Sequence, residues 1–410
     1  MRNLRRAASV AAAILLMACG AGAAGTANDE GRMVKNETAT QEAEVKVGAA
    51  RTEQYLPKLR GKRVALFSNH TGMVGDRHTI DVMRDAGINV VTIFSPEHGF
   101  RGNADAGEHV SSSVDTKTGV PIVSLYGSKA QRTPSKEVMD GIDVIVTDIQ
   151  DVGLRFYTYY CTMVDLMNAA AAHGKDFVVF DRPNPNGMYV DGPILDMKYE
   201  SGVGRLPITV VHGMTLGEIA RMANGEGWLK DGAKVPLTVI PVKNYTHQTR
   251  YSLPIAPSPN LKDMKSIYLY PSICYFEATP VSLGRGTDWP FEIYGHPGMK
   301  NRTFSFTPRS VDGAKNPPQL DQLCYGEDLR GLDDEEIIAK GINLEYLIDA
   351  YRDLGMGDKF FRSFFELLIG RGDIRKMIED GRSADEIKAT WTSDVARFKE
   401  QRRPYLIYEE

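Results

Sequence analysis

The sequence predicts an α/β protein built on a parallel β-sheet with helices on both faces. Short apolar segments rich in β-branched residues alternate along the chain with segments of helical periodicity. Turn-forming residues surround the apolar segments, and polar residues follow directly after them. This alternation is typical of parallel sheets, in which ligands bind at the carboxyl ends of the strands. With 410 residues, the chain is long enough for two domains with separate cores.

The individual elements follow from these patterns. Strands are expected at 64–67, 89–94, 122–125, 143–147 and 177–180, with helices near 78–86, 134–140 and 158–173. A capping box from Thr215 to Glu218 predicts a helix to about residue 224, followed by a strand at 237–242. The segment 325–410 is expected to be mostly helical, and a second capping box at Ser383 predicts a final helix to about residue 400. We therefore expect a sheet domain over 51–205 and a second, smaller α/β domain over 206–410.

The N-terminus has the features of an export signal. Arg2, Arg5 and Arg6 precede an apolar stretch at 7–17 that is too short to span a membrane as a stable helix. Residues 16–19 resemble a bacterial lipobox, which predicts a signal peptide over 1–19 and lipidation of Cys19. A plain secretory signal is the alternative, and both predict export from the cytoplasm.

The segment after Cys19 is expected to be a flexible tether. Residues 20–50 lack apolar periodicity and are rich in small and polar side chains, so they cannot bury enough surface to order themselves. Gly20 stands where an Asp retention signal would stand, which favours the outer membrane in a host with two membranes. We therefore expect a cell-envelope protein that faces the periplasm.

Charge and cysteine content narrow the possible partners. The chain has 49 Lys and Arg against 53 Asp and Glu, a formal net charge of -4, and has no basic patch that would indicate nucleic-acid binding.

Beyond Cys19 only Cys161, Cys274 and Cys324 remain, so at most one disulfide can form among them. Their spacing is not that of a metal site, and we interpret them as small buried hydrophobic residues.

Missing motifs point to carboxylate chemistry. The sequence contains no G-x-S-x-G elbow, no H-E-x-x-H helix and no Walker loop, and its eight His residues are scattered. Glycoside hydrolysis needs one carboxylic acid with a raised pKa and a second group that assists water or stabilises the transition state. Glu97 is the best candidate for the acid, because it follows Pro96 at the end of an apolar strand where burial can raise its pKa. The alternative is a structural carboxylate that caps a loop or pairs with Arg101.

The second catalytic group is less sharply defined by the sequence. Asp151 and Asp148 flank Gln150 after the fourth strand, and either could assist water, bind sugar hydroxyls or accept hydrogen bonds in a turn. His98 directly follows Glu97, and we include it with Glu97 and Asp151 in the catalytic group. Both retaining and inverting chemistry remain compatible with the sequence, because the outcome depends on the distance between two carboxyl groups.

Six ordered motifs resemble one enzyme family. They are Ser95-Pro-Glu-His-Gly-Phe-Arg-Gly102, Asp148-Ile-Gln-Asp-Val-Gly-Leu-Arg-Phe-Tyr-Thr158, Asp181-Arg-Pro-Asn-Pro185, His212-Gly-Met-Thr215, Pro257-Ser-Pro-Asn260 and Gly284-Arg-Gly-Thr287-x-x-Pro290-Phe-Glu292. From about residue 60 to the C-terminus the chain resembles the NamZ-type exo-β-N-acetylmuramidases, formerly a domain of unknown function. The resemblance implies a Rossmann-like domain joined to a smaller α/β domain, which closes an active cleft between them. It also implies exo-acting release of N-acetylmuramic acid (MurNAc) from the non-reducing end of peptidoglycan fragments such as MurNAc-GlcNAc, in cell-wall turnover or recycling. It implies no organic cofactor and makes Glu97 the favoured catalytic residue.

A set of substrate-binding candidates follows from the same loops. It comprises Asn69, Arg101, Asp148, Gln150, Arg155, Tyr157, Asp181, Arg182, Asn184, His212, Glu277, Arg285 and Thr287. Tyr157 is singled out from the aromatic run at 156–160, most of which we expect to pack in the core. Arg101, Arg155, Arg182 and Arg285 are candidates for binding the lactyl carboxylate of muramic acid, although each could instead form a structural ion pair. Asp181 and Arg182 could likewise pair with each other in a turn.

Two other functions compete with this interpretation. A solute-binding lipoprotein for a sugar or muropeptide could also combine two α/β domains, a ligand cleft and a lipid tether. In the second alternative the protein is also an enzyme but cleaves a different bond, as an amidase or as a hydrolase acting on another amino sugar. A binding protein needs no Glu97 beside a cluster of acids, which favours the enzyme.

Overall fold

The structure, a computed structural model, describes residues 44–96, 100, 113–125 and 133–410. In this part of the chain the strands are β1 (Arg63–Ser68), β2 (Met73–Val74), β3 (Arg77–His78), β4 (Asn89–Ser95), β5 (Ser113–Val114), β6 (Pro121–Ser124), β7 (Val144–Asp148), β8 (Asp176–Phe180), β9 (Leu237–Ile240), β10 (Ile293–His296), β11 (Phe304–Phe306) and β12 (Cys324–Asp328). The α-helices are α1 (Thr52–Leu59), α2 (Thr79–Asp85), α3 (Lys136–Asp140), α4 (Tyr159–Ala172), α5 (Leu216–Gly225), α6 (Met264–Ile273), α7 (Asp334–Lys340), α8 (Glu345–Leu354), α9 (Phe364–Ile369), α10 (Ile374–Glu379), α11 (Ala384–Ala389) and α12 (Thr392–Arg402).

A seven-stranded sheet has the order β5-β6-β4-β1-β7-β8-β9. All neighbouring strands are parallel except β5, which runs antiparallel to β6 at the edge. The predicted α/β fold class is confirmed, and each strand expected between residues 64 and 242 is present. The central strands read as apolar runs because helices and connecting segments cover both faces of a parallel sheet.

Strand β1 shows how the sequence divides its side chains between two cores. Val64 and Leu66 contribute to the core on one face, which also contains Tyr55 of α1. Ala65 and Phe67 contribute to the core on the opposite face, where α4 and α5 pack. Successive side chains of a strand point to opposite faces, so one apolar run supplies both cores.

The register of the sheet brings the ends of its strands together. Ser68, the last residue of β1, pairs with Asp148, the last residue of β7. Ser95 at the end of β4 pairs with Ser124 at the end of β6. The polar residues that follow these strands in sequence therefore begin at one edge of the sheet, as predicted.

A smaller antiparallel sheet and the C-terminal helices complete the described chain. Its three strands have the order β10-β12-β11. Strand β9 belongs to the large sheet although it lies beyond residue 205, so that sheet includes residues on both sides of the expected division. The division into domains over 51–205 and 206–410 stays a prediction.

Helix α6 was not predicted, because the stretch 251–300 is dense in Pro, Gly and aromatic residues. Asp263 and Ser266 form a capping box at its start, and Pro271 lies within it. Proline lacks the N–H that would donate to the carbonyl four residues earlier, that of Ile267. The Asn186 side-chain amide lies 3.4 Å from this carbonyl and donates to it instead.

The prediction of a single final helix from Ser383 to about residue 400 is wrong, although the predicted capping box is present. The segment forms α11 and α12, separated at Thr390 and Trp391. Trp391 is buried, and its indole N–H donates to Asp191 Oδ1 at 2.9 Å. We attribute the break to this anchored side chain, which belongs to the core between the helices.

The cysteines and helices of the described chain bear on two further expectations. Cys161, Cys274 and Cys324 are buried and form no disulfide, which confirms their interpretation as small core residues. Within the described ranges, no helix combines the length and apolar character needed to cross a membrane. Cys19 and the expected signal peptide lie outside the described residues, as do residues 20–43 of the expected tether. Residues 44–50, where we expected the tether to end, are instead part of the fold. Val47 and Ala49 are buried in the core that contains Tyr55, Gly48–Ala50 form a 3-10 helix, and the main chain of Lys46 is hydrogen-bonded to that of Lys243.

Candidate functional site

A cavity of about 450 Å³ lies beside the N-terminal end of α4 and is the main candidate site. Its volume is within the range of about 300–1,000 Å³ that is typical of small-molecule sites. The described wall includes the aromatic residues Phe156, Tyr157, Tyr159, Tyr270, Phe291 and Phe364 and the charged residues Asp165, Arg205, Glu277 and Arg285. We call this space the main cavity.

Two tyrosines of the wall are held by a shared hydrogen-bond acceptor. The hydroxyls of Tyr157 and Tyr159 both donate to the Pro257 carbonyl, at 3.0 and 3.1 Å. The Asn69 side-chain amide donates to the Tyr159 hydroxyl at 2.9 Å. These bonds connect the end of β1, the start of α4 and the loop at residue 257. Ring faces presented with fixed hydroxyls suit a sugar, which has both apolar and hydroxyl-bearing surfaces.

The charged residues of the wall form two ion pairs. Arg285 Nη2 donates to Glu277 Oε1 at 2.7 Å. Arg205 donates to Asp165 at 3.1 Å and, with its other terminal nitrogen, to Glu200 at 3.1 Å. Each pair is partly accessible, with side-chain exposure between 15% and 26% for the four wall residues. The wall thus offers charged hydrogen-bonding groups without a large net charge.

One residue of the main-cavity wall is hydrogen-bonded to the strand that precedes Glu97 in sequence. Leu125 lines the cavity, and its N–H donates to the carbonyl of Ser95 at 3.0 Å. Ser95 ends β4, two residues before Glu97. Glu97, His98 and Arg101 themselves lie outside the described residues.

Asp148 and Arg182 form a buried ion pair under the sheet edge. Arg182 donates to both carboxylate oxygens, at 2.7 and 3.0 Å, and also to the Met73 carbonyl at 3.0 Å. Thr79 donates to the same carboxylate. Asp148 is fully buried, so this arrangement supports a structural role for it. Its predicted contact with substrate stays a prediction. The alternative pair between Asp181 and Arg182 is wrong, because the Arg182 guanidinium binds Asp148.

Asp181 fixes the C-terminal tail of the chain. Its carboxylate accepts hydrogen bonds from the hydroxyls of Tyr408 at 2.6 Å and Thr215 at 2.7 Å, and from the Gly217 N–H at 2.9 Å. Burial raises the pKa of Asp181 to about 6, although these donors favour the charged form. Asp181 therefore acts as a structural centre for β8, α5 and the tail, and is fully buried.

Arg155 has no surface from which to bind a substrate. It is fully buried, and its terminal nitrogens donate to the carbonyls of Pro193, Ile208 and Leu368 at 2.8 to 3.0 Å. A guanidinium that bridges three main-chain segments holds the fold together. These contacts favour the structural alternative for Arg155, and its contact with a lactyl carboxylate stays a prediction.

The polar residues Asn69, Gln150, Asn184, His212 and Thr287 serve local structure. Each makes hydrogen bonds to nearby main-chain groups, and all but Thr287 are buried. His212 is fully buried, and burial lowers its pKa to about 3, with smaller contributions from Arg402 and Arg155. The described contacts therefore give these five candidates a supporting role. Tyr157, Glu277 and Arg285 are the described candidates that line the main cavity.

Asp151 is the remaining acid from the predicted catalytic group. Its Oδ1 accepts the Gly153 N–H at 2.8 Å, and its buried Oδ2 has no partner among the described residues. Burial raises the pKa of Asp151 to about 7, against the opposing effect of nearby main-chain N–H groups. Such a carboxyl group can exchange a proton near neutrality. Asp151 is not part of the described wall of the main cavity.

Sequence reasoning missed several residues of the main cavity. Arg205 and Asp165 come together from a loop and the middle of α4, and Tyr270 comes from the unpredicted helix α6. Asp165, the one charged residue of the mostly apolar helix α4, was the available signal for one of them. Among the described residues, no group of three His, Cys, Asp or Glu side chains is placed to hold a metal ion.

The fold and cavity together define a class of protein. A parallel α/β sheet with an aromatic, ion-paired cavity next to its strand ends is typical of proteins that bind or process small polar ligands. Comparison with models of known protein families then identifies the family. Residues 64–265 match the N-terminal model, and residues 268–408 the C-terminal model, of exo-β-N-acetylmuramidase NamZ. The chain belongs to this family of glycoside hydrolases.

Individual relatives agree with the family models. The peptidoglycan β-N-acetylmuramidase NamZ of Bacillus subtilis is 37% identical over 395 residues, which cover 91% of this chain and 94% of that protein. A solved DUF1343 family protein from Bacteroides fragilis is 61% identical, with a TM-score of 0.84, and covers 90% of this chain and 100% of its own. A second such structure from that organism is 28% identical, with a TM-score of 0.76, and covers 89% and 99%.

Proposed function

We propose that this chain is an exo-acting glycoside hydrolase that releases MurNAc from the non-reducing end of peptidoglycan fragments. The observation that carries the proposal is the match of both family models, which together span residues 64–408 apart from two residues. The main cavity supports it, because it combines aromatic rings and fixed charges within a volume suited to a small glycan.

In this proposal Glu97 is the general acid that protonates the glycosidic oxygen as the bond to the leaving sugar breaks. The acid must be protonated at the start, which requires a raised pKa. Asp151 is the proposed second group, since burial already gives it a pKa near 7 and its Oδ2 has no described partner. His98 is proposed to position Glu97 or the attacking water.

The activity is tested with the chain lacking residues 1–19 and a MurNAc-GlcNAc disaccharide. We expect stoichiometric release of free MurNAc and GlcNAc, measured by chromatography with mass detection. Release of an amino acid or peptide from a muropeptide, without cleavage of the disaccharide, would identify an amidase. Tight binding of the disaccharide without turnover would overturn the enzyme proposal in favour of a solute-binding lipoprotein.

We further propose that the protein is anchored to the cell envelope through a lipid on Cys19, and that it works on the periplasmic face. The lipobox-like residues 16–19 and the polar segment that follows support this proposal. In cells with two membranes, we expect the full chain to fractionate with the outer membrane and to incorporate labelled palmitate. C19S is expected to lose the label, and equal labelling of this variant would contradict the proposal.

A further inference from the structure

Arg285 differs from the other described arginines near the main cavity because its guanidinium has hydrogen-bond donors without a described partner. Its Nη2 donates to Glu277, while Nε and Nη1 have no hydrogen-bond partner among the described residues and are not sealed by burial. Arg205 has both terminal nitrogens engaged by carboxylates, and its Nε is buried. Arg155 and Arg182 are occupied elsewhere in the core. One edge of the Arg285 fork is therefore available to a ligand.

Two neighbours hold this fork in a fixed orientation. Glu277 binds one side at 2.7 Å, and the ring of Phe291 lies 5.1 Å from the guanidinium carbon. Burial opposes the positive charge, but the Glu277 carboxylate outweighs it, so the pKa of Arg285 is raised above its usual range. An arginine fixed and charged before the ligand arrives loses little entropy on binding.

The loop that carries Arg285 is conformationally constrained. Gly284 and Gly286 flank it at φ 85° and 82°, a region that favours glycine. A Cβ at Gly284 would lie 2.5 Å from the Trp289 carbonyl oxygen, and one at Gly286 would lie 2.4 Å from that of Arg309. Both positions therefore require glycine, because a side chain at either would collide with neighbouring main chain.

Phe291 provides an independent observation. It adopts φ 68°, which is unusual and costly for a bulky residue that is not glycine. Its N–H donates to the Leu283 carbonyl at 2.7 Å, which closes the loop, and its ring supports Arg285. Strain of this kind persists where the surrounding structure enforces it, often at ligand-binding positions.

We infer that Arg285, oriented by Glu277 and Phe291, binds the lactyl carboxylate of the terminal MurNAc unit and thereby selects muramic acid over neutral amino sugars. The inference rests on the proposed function and assigns the part of the site that reads this substrate. Arginine forks form strong, directional bonds with carboxylates. A site that uses such bonds rejects ligands that lack the charged group, because the fork is then left unpaired.

The test compares the free acid with an analogue whose lactyl group is the neutral carboxamide. We expect the parent enzyme to prefer MurNAc-GlcNAc over this analogue by at least about a hundredfold in kcat/KM, and R285Q to reduce the preference to less than about fivefold. R205Q, which removes another positive charge from the same wall, is expected to shift both substrates by a similar factor. Unchanged preference in R285Q would overturn the inference.

Binding of free MurNAc and its lactyl carboxamide, measured by calorimetry, separates this inference from the proposed hydrolysis. If the parent binds MurNAc more tightly than the carboxamide and R285Q loses this difference, Arg285 has the inferred role even when no turnover is seen. Equal affinities in the parent would overturn it. R285K keeps the positive charge but not the planar fork. We therefore expect it to prefer MurNAc over the carboxamide by about tenfold or less, because it lacks at least one charge-assisted hydrogen bond to the carboxylate. Thermal unfolding confirms that each variant is folded.

Discussion

Glu97→Gln is expected to lower kcat for release of MurNAc from the disaccharide by at least about a hundredfold, the lower scale for loss of a general acid. Glutamine has nearly the same size and can still form hydrogen bonds, but it cannot give a proton to the leaving oxygen. Glu53→Gln is the matched control, because Glu53 is a helix residue with 70% side-chain exposure. This control should retain full activity.

A better leaving group distinguishes an acid from a nucleophile. In the nitrophenyl β-glycoside of MurNAc the leaving group is a nitrophenolate, which departs without protonation. E97Q should therefore lose much less activity on this substrate than on the disaccharide. D151N, at the proposed second group, should be slow on both substrates, since the need to assist water does not depend on the leaving group. An equal loss on both substrates in E97Q would contradict the role of general acid.

The sheet was predictable because its signal is local. Strands such as β7, whose five residues are all buried, read as apolar runs bounded by turn residues. The pairing of Ser68 with Asp148 then follows from parallel strands that end together. Capping boxes at Thr215 and Ser383 are also local, and both starts were located correctly. The break between α11 and α12 depends on the distant contact between Trp391 and Asp191, which no local pattern reveals.

The roles of the polar residues at the strand ends were much less predictable. Asp148, Arg155, Asp181 and Arg182 have the chemistry of a binding site, yet their partners lie 34 or more positions away in sequence. A buried charge must be paired or fully hydrogen-bonded, so polar residues at a sheet edge also serve to join the segments that meet there. The types of residue alone therefore cannot show whether a polar side chain at the strand ends binds substrate or joins segments of the fold. The cavity wall could not be assembled either, because Tyr270 lies on a proline-containing helix that the pattern did not predict.

The buried pair of Asp148 and Arg182 predicts the largest effect on stability. In R182M the side-chain volume is largely kept, but Asp148 stays in the core with the Thr79 hydroxyl as its remaining described side-chain donor. Removing one partner of a buried ion pair costs about 3–5 kcal/mol, since the other charge is left uncompensated. We expect a loss of this size in the free energy of unfolding, measured by urea denaturation at pH 7.

The double variant D148N/R182M shows whether the loss arises from the stranded charge. Because no carboxylate is left without its partner, the double variant should be more stable than R182M alone, so the two substitutions together should cost less stability than the sum of their separate costs. The KM of folded R182M should stay close to that of the parent, because the Arg182 side chain is 7% exposed and its donors face Asp148 and Met73. A tenfold higher KM in R182M with little loss of stability would instead show that Arg182 contacts substrate, as the sequence analysis predicted.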